Sequence, residues 1–428
     1  MSRILFLGAL AYALLLLGLI TLNGAVLVLV LPLALYIGAA LLEGPDQVQL
    51  EAERTLSVDR VVAGMPVDVR LSVTNTGPAL EEVLLEDQIP GGLEVIDGEP
   101  KAFASLAAGQ SLELAYTVRA RRGGFEFGPV RVAAGDHLGL FRKEALLQAP
   151  ARFSALPETS RLHRIAIRPR RTRSAAGPVP SRQGGSGVDF YGVREYQMGD
   201  PRRWINWRAS ARHPRSLFTN EFEQERIADV GLILDARRRS DVGSGDDSLF
   251  EHAVRATASL ADRFLSDGNR VGLLVYGRSL DWTFPGYGKV QRERILRALA
   301  RAQTGESQIF DKLDYLPTGF FPAQSQLVLV SPLSLDDLPM LIRLRARGYE
   351  VLVIRPDPLA IEVESLEPKP SVTLAARIVT VERTLLKRKV QQAGIQVVDW
   401  RVDQAFDQAI HTALGRRPQW FRAAAVEA

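Results

Sequence analysis

The chain of 428 residues contains no cysteine. That excludes disulfides, thiolate metal centres and a thiol nucleophile, and it leaves the redox compartment open. Histidine is scarce: five are scattered along the chain, none at a metal-ligand spacing. There is no Gly-x-Ser-x-Gly elbow, no Walker phosphate loop and no His-Glu-x-x-His, so the common hydrolase, nucleotide and zinc-protease templates fail on spacing. Net charge is only +4, a weak pull on nucleic acid at this length. Charge of either sign is missing altogether between Ile4 and Leu42, and acids are missing between Arg161 and Arg173.

What is present is unevenly distributed. The length is too great for one core and predicts two or three units. Residues 1–44 form the first. One helix over Ile4–Leu42 would measure about 58 Å, well beyond a hydrocarbon core of roughly 30 Å. Asn23-Gly24 near its middle is a turn signal. The pattern therefore predicts a transmembrane helical hairpin with spans over about 4–22 and 25–42. Pro32 is tolerable inside the second span. Arg3 is the one nearby cation, and it favours a cytoplasmic N-terminus and body. The expected location is the cell membrane, crossed twice, with the lipid bilayer as a partner.

Residues 45–150 change to period two. Val67–Val73 and Leu112–Val118 alternate apolar with polar, and Gly, Pro and Asn turns separate short runs. This predicts an antiparallel, immunoglobulin-like β-sandwich. It closes with Arg121-Arg122-Gly123-Gly124-Phe125, Gly128-Pro129 and Asp136-His137-Leu138-Gly139-Leu140-Phe141, where His137 reads as structural. Residues 151–228 follow as a basic connector and a distinctive segment. The connector suits a solvated linker or anionic headgroups. No groove-reading helix, zinc site or aromatic sheet motif accompanies its charge, so nucleic acid is not expected.

The segment Gly187–Glu225 combines two tryptophans, many arginines and a Gly199-Asp200-Pro201 turn. Arginine forks need planar partners, and Trp204 and Trp207 are large enough to stack on them. Gly187, Phe190, Arg194, Tyr196, Gly199, Asp200, Arg203, Ile205, Trp207, Ala211, Arg212 and Glu225 closely resemble the signature of the bacterial and archaeal family called domain of unknown function 58. Asn206 stands where many members carry an acid. The arginine-glycine turn, the Gly-Pro and the Asp-x-x-Gly-Leu-Phe before it fit the same family. The resemblance implies a cytoplasmic body, a von Willebrand factor A-like domain, and work alongside MoxR-type AAA+ ATPases in assembling or maturing membrane or envelope proteins.

Residues 229–428 alternate apolar strands with amphipathic helices. Strands are expected at 230–234, 271–276, 327–330, 351–354 and 395–398. Helices are expected at 249–265, 292–301, 335–347, 385–393 and 405–414. This predicts a mostly parallel, doubly wound α/β sheet, whose ligands gather at the C-terminal strand ends. Asp235 ends the first strand. The resemblance implies a divalent ion there, held through Asp-x-Ser-x-Ser, but the chain reads Asp235-Ala236-Arg237-Arg238-Arg239-Ser240. Ser331-Pro332 stands where an Asp-Gly pair is expected. Magnesium needs several hard oxygens, and one carboxylate beside three cations is a poor site, so no cofactor is expected and Asp235 is the only retained candidate ligand.

Two readings of the arginines remain. Arg237 or Arg239 grips an acidic residue of a partner protein in place of the ion, or they form an exposed loop paired to Asp241, Asp246 or Asp247. The candidate partner-binding residues are Asp235, Arg237, Arg239, Asp200, Arg203, Trp207 and Arg212, with no catalytic residue among them. The expected function is a membrane-anchored, non-catalytic interaction or adaptor protein. An envelope-facing binding module, and a hydrolase or transferase built around Asp200, Arg203 and Trp207, are the rivals.

Overall fold

The computed structural model describes residues 2–415 apart from 44–47, 136–141, 166, 168–171, 174–178, 214, 308–309, 311, 365 and 368. The Asp136–Phe141 turn with His137, and Arg168, Arg170 and Arg171 of the connector, lie outside the described residues. The chain divides into two compact units, Met1–Leu156 and Pro157–Ala428.

The first unit begins with helices α1 (Ser2–Thr21) and α2 (Gly24–Glu43). Leu22 takes a left-handed φ of 50°, and the Asn23 side chain accepts from Ala25 N at 3.0 Å, so the chain reverses at the expected turn. A Cβ at Gly18 would meet Leu27 at 2.7 Å, so the two helices approach closely there. Among the described residues, however, no helix is long and apolar enough to cross a membrane. This finding overturns the transmembrane hairpin, the two-span cell-membrane location and the orientation built on them.

Eleven strands follow: β1 (Leu50–Leu56), β2 (Arg60–Val62), β3 (Pro66–Asn75), β4 (Leu80–Asp87), β5 (Leu93–Gly98), β6 (Lys101–Leu106), β7 (Ser111–Ala120), β8 (Gly123–Glu126), β9 (Val130–Gly135), β10 (Arg142–Leu147) and β11 (Arg152–Leu156). They form two antiparallel four-stranded sheets, β1-β3-β7-β5 and β10-β9-β4-β6, and a three-stranded sheet β2-β11-β8. The period-two pattern puts Val67, Val69, Leu71 and Val73 inside. The third sheet departs from a two-sheet immunoglobulin-like sandwich, and its β2–β11 pair is parallel. Within the fold Arg54 is buried and forks onto Asp87, which also accepts from Tyr116 Oη at 2.6 Å.

The second unit holds β12 (Thr172–Arg173), β13 (Val179–Glu195), α3 (Trp207–Ser210), β14 (Phe218–Ala236), α4 (Leu249–Ser266), β15 (Arg270–Gly277), β16 (Leu280–Gly286), α5 (Gly288–Arg301), β17 (Gln326–Val330), α6 (Leu338–Ala346), β18 (Glu350–Asp357), α7 (Leu359–Glu364), α8 (Pro370–Gln392), β19 (Gln396–Arg401) and α9 (Phe406–Gly415). The sheet runs β16-β15-β14-β17-β18-β19, with β12 and β13 paired to β14. It is mixed rather than simply parallel and doubly wound. β14, β15, β17, β18 and β19 are parallel, while β16, β12 and β13 pair antiparallel. The loop from β15 to β16 is short enough to reverse the chain at once, which forces that antiparallel edge.

The helices cover this sheet for the usual reasons. Ser248 caps α4 by accepting from Glu251 N at 3.3 Å, and Phe250, Val254, Leu260, Ala261 and Phe264 form its buried stripe. Gly268 ends it with φ +80°. Ile233, Leu274, Leu329, Val353 and Leu341 belong to one core between sheet and helices.

Candidate functional site

β14 lies between β15 and β17, and the connections run outward on either side of it. Its C-terminal end is therefore the point where the strand order reverses, the usual ligand crevice of such a sheet. Asp235 sits there, fully buried, in register with Tyr276 of β15. Ser331, also fully buried, follows β17 directly. A Cβ at Gly277 would meet Ala236 O at 2.5 Å, so the ends of β14 and β15 touch through bare backbone.

Arg237 fills this crevice. Its side chain turns back on its own strand, donating from Nε to Asp235 Oδ1 at 2.8 Å and from Nη2 to Asp235 Oδ2 at 2.7 Å. The other edge of the guanidinium donates from Nη1 to Asp337 Oδ1 at 2.9 Å and from Nη2 to Asp337 Oδ2 at 3.2 Å. Ser331 Oγ donates to Asp235 Oδ2 at 2.6 Å. Arg237 is 2% exposed and Asp337 0%. Its Cζ lies 6.0 Å from the Tyr276 ring centroid. Burial pulls the Arg237 pKa down, but the two carboxylates outweigh it and hold the group above the ordinary arginine value. Burial, opposed by Arg237, pushes Tyr276 up to about 12, and its hydroxyl donates to Lys312 O at 2.5 Å.

Asp337 is presented by a capping box. Ser334 N donates to Asp337 Oδ2 at 2.9 Å, and Leu333 just before it has φ 54°. Arg239, its side chain 25% exposed, adds Nη1 to Asp337 Oδ2 at 3.2 Å and bonds Ser334 Oγ. Two carboxylates thus meet two guanidinium groups, and the local charge closes. Arg238 points outward and pairs with Glu306. Arg237 is therefore buried rather than part of an exposed loop, and it pairs with Asp235 and Asp337. The oxygens that would suit a hard divalent cation are Asp235, Asp337 and Ser331, and a guanidinium already spans both carboxylates. A metal does not fit this donor set without displacing a buried cation.

Asp337 and Ser334 escaped the sequence reading. Their signal was there: Ser334-Leu335-Asp336-Asp337 is a helix-start pattern of a capping residue followed three places later by an acid. Nothing in the spacing connects it to Arg237, a hundred residues earlier.

The other candidates lie elsewhere. Asp200, Arg203, Trp207 and Arg212 belong to a lobe between β13 and β14, at the opposite end of the 19-residue strand β14 from Asp235. The two sets do not form one site. Asp200 accepts a bidentate fork from Arg194, at 2.8 and 2.7 Å, and Gln197 N at 2.9 Å. Those bonds hold its carboxyl below the usual range, the Arg194 hydrogen bond first. Arg203 lies over Trp204 at 5.8 Å. Among the described residues no guanidinium stacks on Trp207, which opens α3 behind the Asn206 cap and is 69% exposed. Arg212 is exposed.

Residues 192–363 match the family model described as Protein of unknown function DUF58. That match supports the DUF58 family. It runs from the signature lobe through both halves of the arginine-filled crevice. No curated protein matches the chain. Solved structures give partial likenesses. The major pilin subunit BcpA of Bacillus cereus is 5% identical over 25% of this chain and 41% of its own, with a TM-score of 0.21. A CARDB domain from Pyrococcus furiosus is 16% identical over 25% and 88%, TM-score 0.19. The sporulation control protein Spo0M of Bacillus subtilis is 14% identical over 25% and 49%, TM-score 0.15. At these scores the likenesses carry no argument, and this chain spans less than half of the pilin subunit.

Proposed function

We propose that this chain is a non-catalytic protein-interaction module of the DUF58 type. Its second unit would be von Willebrand factor A-like in role, acting with a MoxR-type AAA+ ATPase in assembling or maturing membrane or envelope proteins. One observation carries the reading. Where a metal-bearing relative would present an ion to an acidic residue of its partner, this chain presents a guanidinium held by Asp235 and Asp337. Asp235 and Asp337 neutralise that buried cation, so its part is to hold the crevice together without a metal, and attraction for a further carboxylate falls to the arginines at the rim. Both edges of Arg237 are taken, so the partner carboxylate is received at the rim, by Arg239 and Arg238. The ATPase partner rests on the family resemblance.

The test is binding of the purified chain to a MoxR-type ATPase from the same organism, immobilised without nucleotide, in magnesium and in EDTA. The reading expects saturable binding that changes less than about twofold with EDTA and weakens about tenfold, or 1.4 kcal/mol, in Arg238→Ala/Arg239→Ala. Absence of binding removes the ATPase as partner. Binding that EDTA abolishes removes the metal-free docking.

A further inference from the structure

Helix α8 carries an apolar stripe that the described residues leave uncovered. Over its 23 residues only Leu386 and Val390 are buried. Leu374, Ile378, Val381 and Leu385 are 60, 52, 58 and 49% exposed. Their spacing of four, three and four residues is that of two heptads, with Ile378 and Leu385 at a and Leu374 and Val381 at d. A helix whose sole partner is its own sheet buries one stripe and solvates the rest. Here the polar side holds the fold, through Arg383 to Asp357 at 3.3 Å and Lys387 to Asp399 at 2.7 Å, while the apolar stripe faces out.

We infer that this stripe pairs with the same stripe of a second copy of the chain, as a parallel, in-register helix pair about a two-fold axis. The flanking charges choose the partner and the direction. Arg377 occupies a g position and Glu382 the e position five residues on, and both are exposed. In a parallel pair, g of one helix faces e of the next heptad on the other, which sets Arg377 against Glu382 of the second copy twice over. An antiparallel pair that aligns the same four apolar layers sets Arg377 against Thr384 and Glu382 against Ala375, where no opposite charge is met. A two-fold contact also uses one surface for both partners, so a self-complementary stripe needs no second protein. Four apolar side chains from each copy make a small interface, below about 1,000 Å² in total, so the association is in the micromolar range or weaker. The pairing does not depend on the Arg237 site.

Because the chain has no cysteine, single cysteines give a clean test in the full chain. Leu374→Cys and Leu385→Cys are each oxidised mildly, alone and mixed, with Thr380→Cys on the exposed flank as the collision control. A parallel pair brings each cysteine beside its own copy, within disulfide reach, so each variant alone crosslinks at least tenfold faster than the control. Crosslinking confined to the mixture shows an antiparallel pair and overturns the arrangement. Crosslinking no faster than the control, alone or mixed, shows the stripe covered by something else, residues 416–428 or another protein, and overturns self-pairing. Sedimentation supplies the second measurement. Ile378→Glu sediments as monomer at concentrations where the parent dimerises, Arg377→Glu weakens dimerisation, and Arg377→Glu/Glu382→Arg restores it. Failure of the double exchange to restore it overturns the charge pairing.

Discussion

Replacing Arg237 by methionine keeps much of the side-chain volume and removes the charge with its donors. Its side-chain hydrogen bonds to Asp235 and Asp337 go with it. Asp337 keeps Arg239 and Ser334 N. Asp235 keeps one hydroxyl, from Ser331, and the backbone N–H of residue 237. A fully buried carboxylate is then left without a counter-charge. Removing one partner of a buried pair costs about 3–5 kcal/mol, and that is the expected loss. Asp235→Asn in the same background relieves the orphaned charge, so the double variant loses less than the sum of the singles, with a coupling of about 1.5–3 kcal/mol. The assay is urea unfolding followed by tryptophan fluorescence. All five tryptophans fall after Pro157, so the signal reports the unit that holds the site. A loss under about 1 kcal/mol, or strict additivity of the two substitutions, would refute the reasoning.

Three further outcomes follow from the same structure. Gly277→Ala places a Cβ 2.5 Å from Ala236 O, backbone that cannot step aside, and should cost about 1–3 kcal/mol in the same urea assay. His252 is held below its usual 6.5 by burial first and by Arg255 second. Its folded value lies below the unfolded one, so the unfolded chain takes the extra proton below pH 6.5 and stability falls as the pH drops through that window. His252→Gln should flatten that slope between about pH 5 and 7 in thermal melts. Trp207→Ala removes an exposed ring and should leave stability within about 0.5 kcal/mol, whereas a larger loss would mean the ring supports the lobe.

Much of the second unit was legible because its buried strands are short apolar runs and its helices carry clean stripes. The strand expected at 230–234 is the C-terminal part of β14, and those at 271–276, 327–330 and 351–354 fall within β15, β17 and β18. The antiparallel edge strand β16 was not legible. Its Asp281-Trp282-Thr283-Phe284-Pro285 run is half-exposed, and Pro285 argues against a strand except at an edge. α8 was read only from residue 385 onward, because its first two-thirds put their apolar residues on the uncovered side. The N-terminal hairpin was overcalled for a related reason. Apolar composition reports what water rejects, and among the described residues no helix is both long and apolar enough to cross a bilayer. At the site, Asp235 and its arginines stood in plain view in one short stretch. Which carboxylate the arginine would meet did not, since Asp337 arrives from a loop beyond β17 that only the folded sheet brings near.

Arg237 occupies the position that a cation bound between Asp235 and Asp337 would take. Titration calorimetry of magnesium and manganese into the purified chain measures this most directly. No saturable heat is expected up to millimolar metal for the natural sequence, and a binding isotherm is expected for Arg237→Ala, where Asp235, Asp337 and Ser331 lose the guanidinium between them. Saturable micromolar binding by the natural sequence, lost in Asp235→Asn, would contradict it.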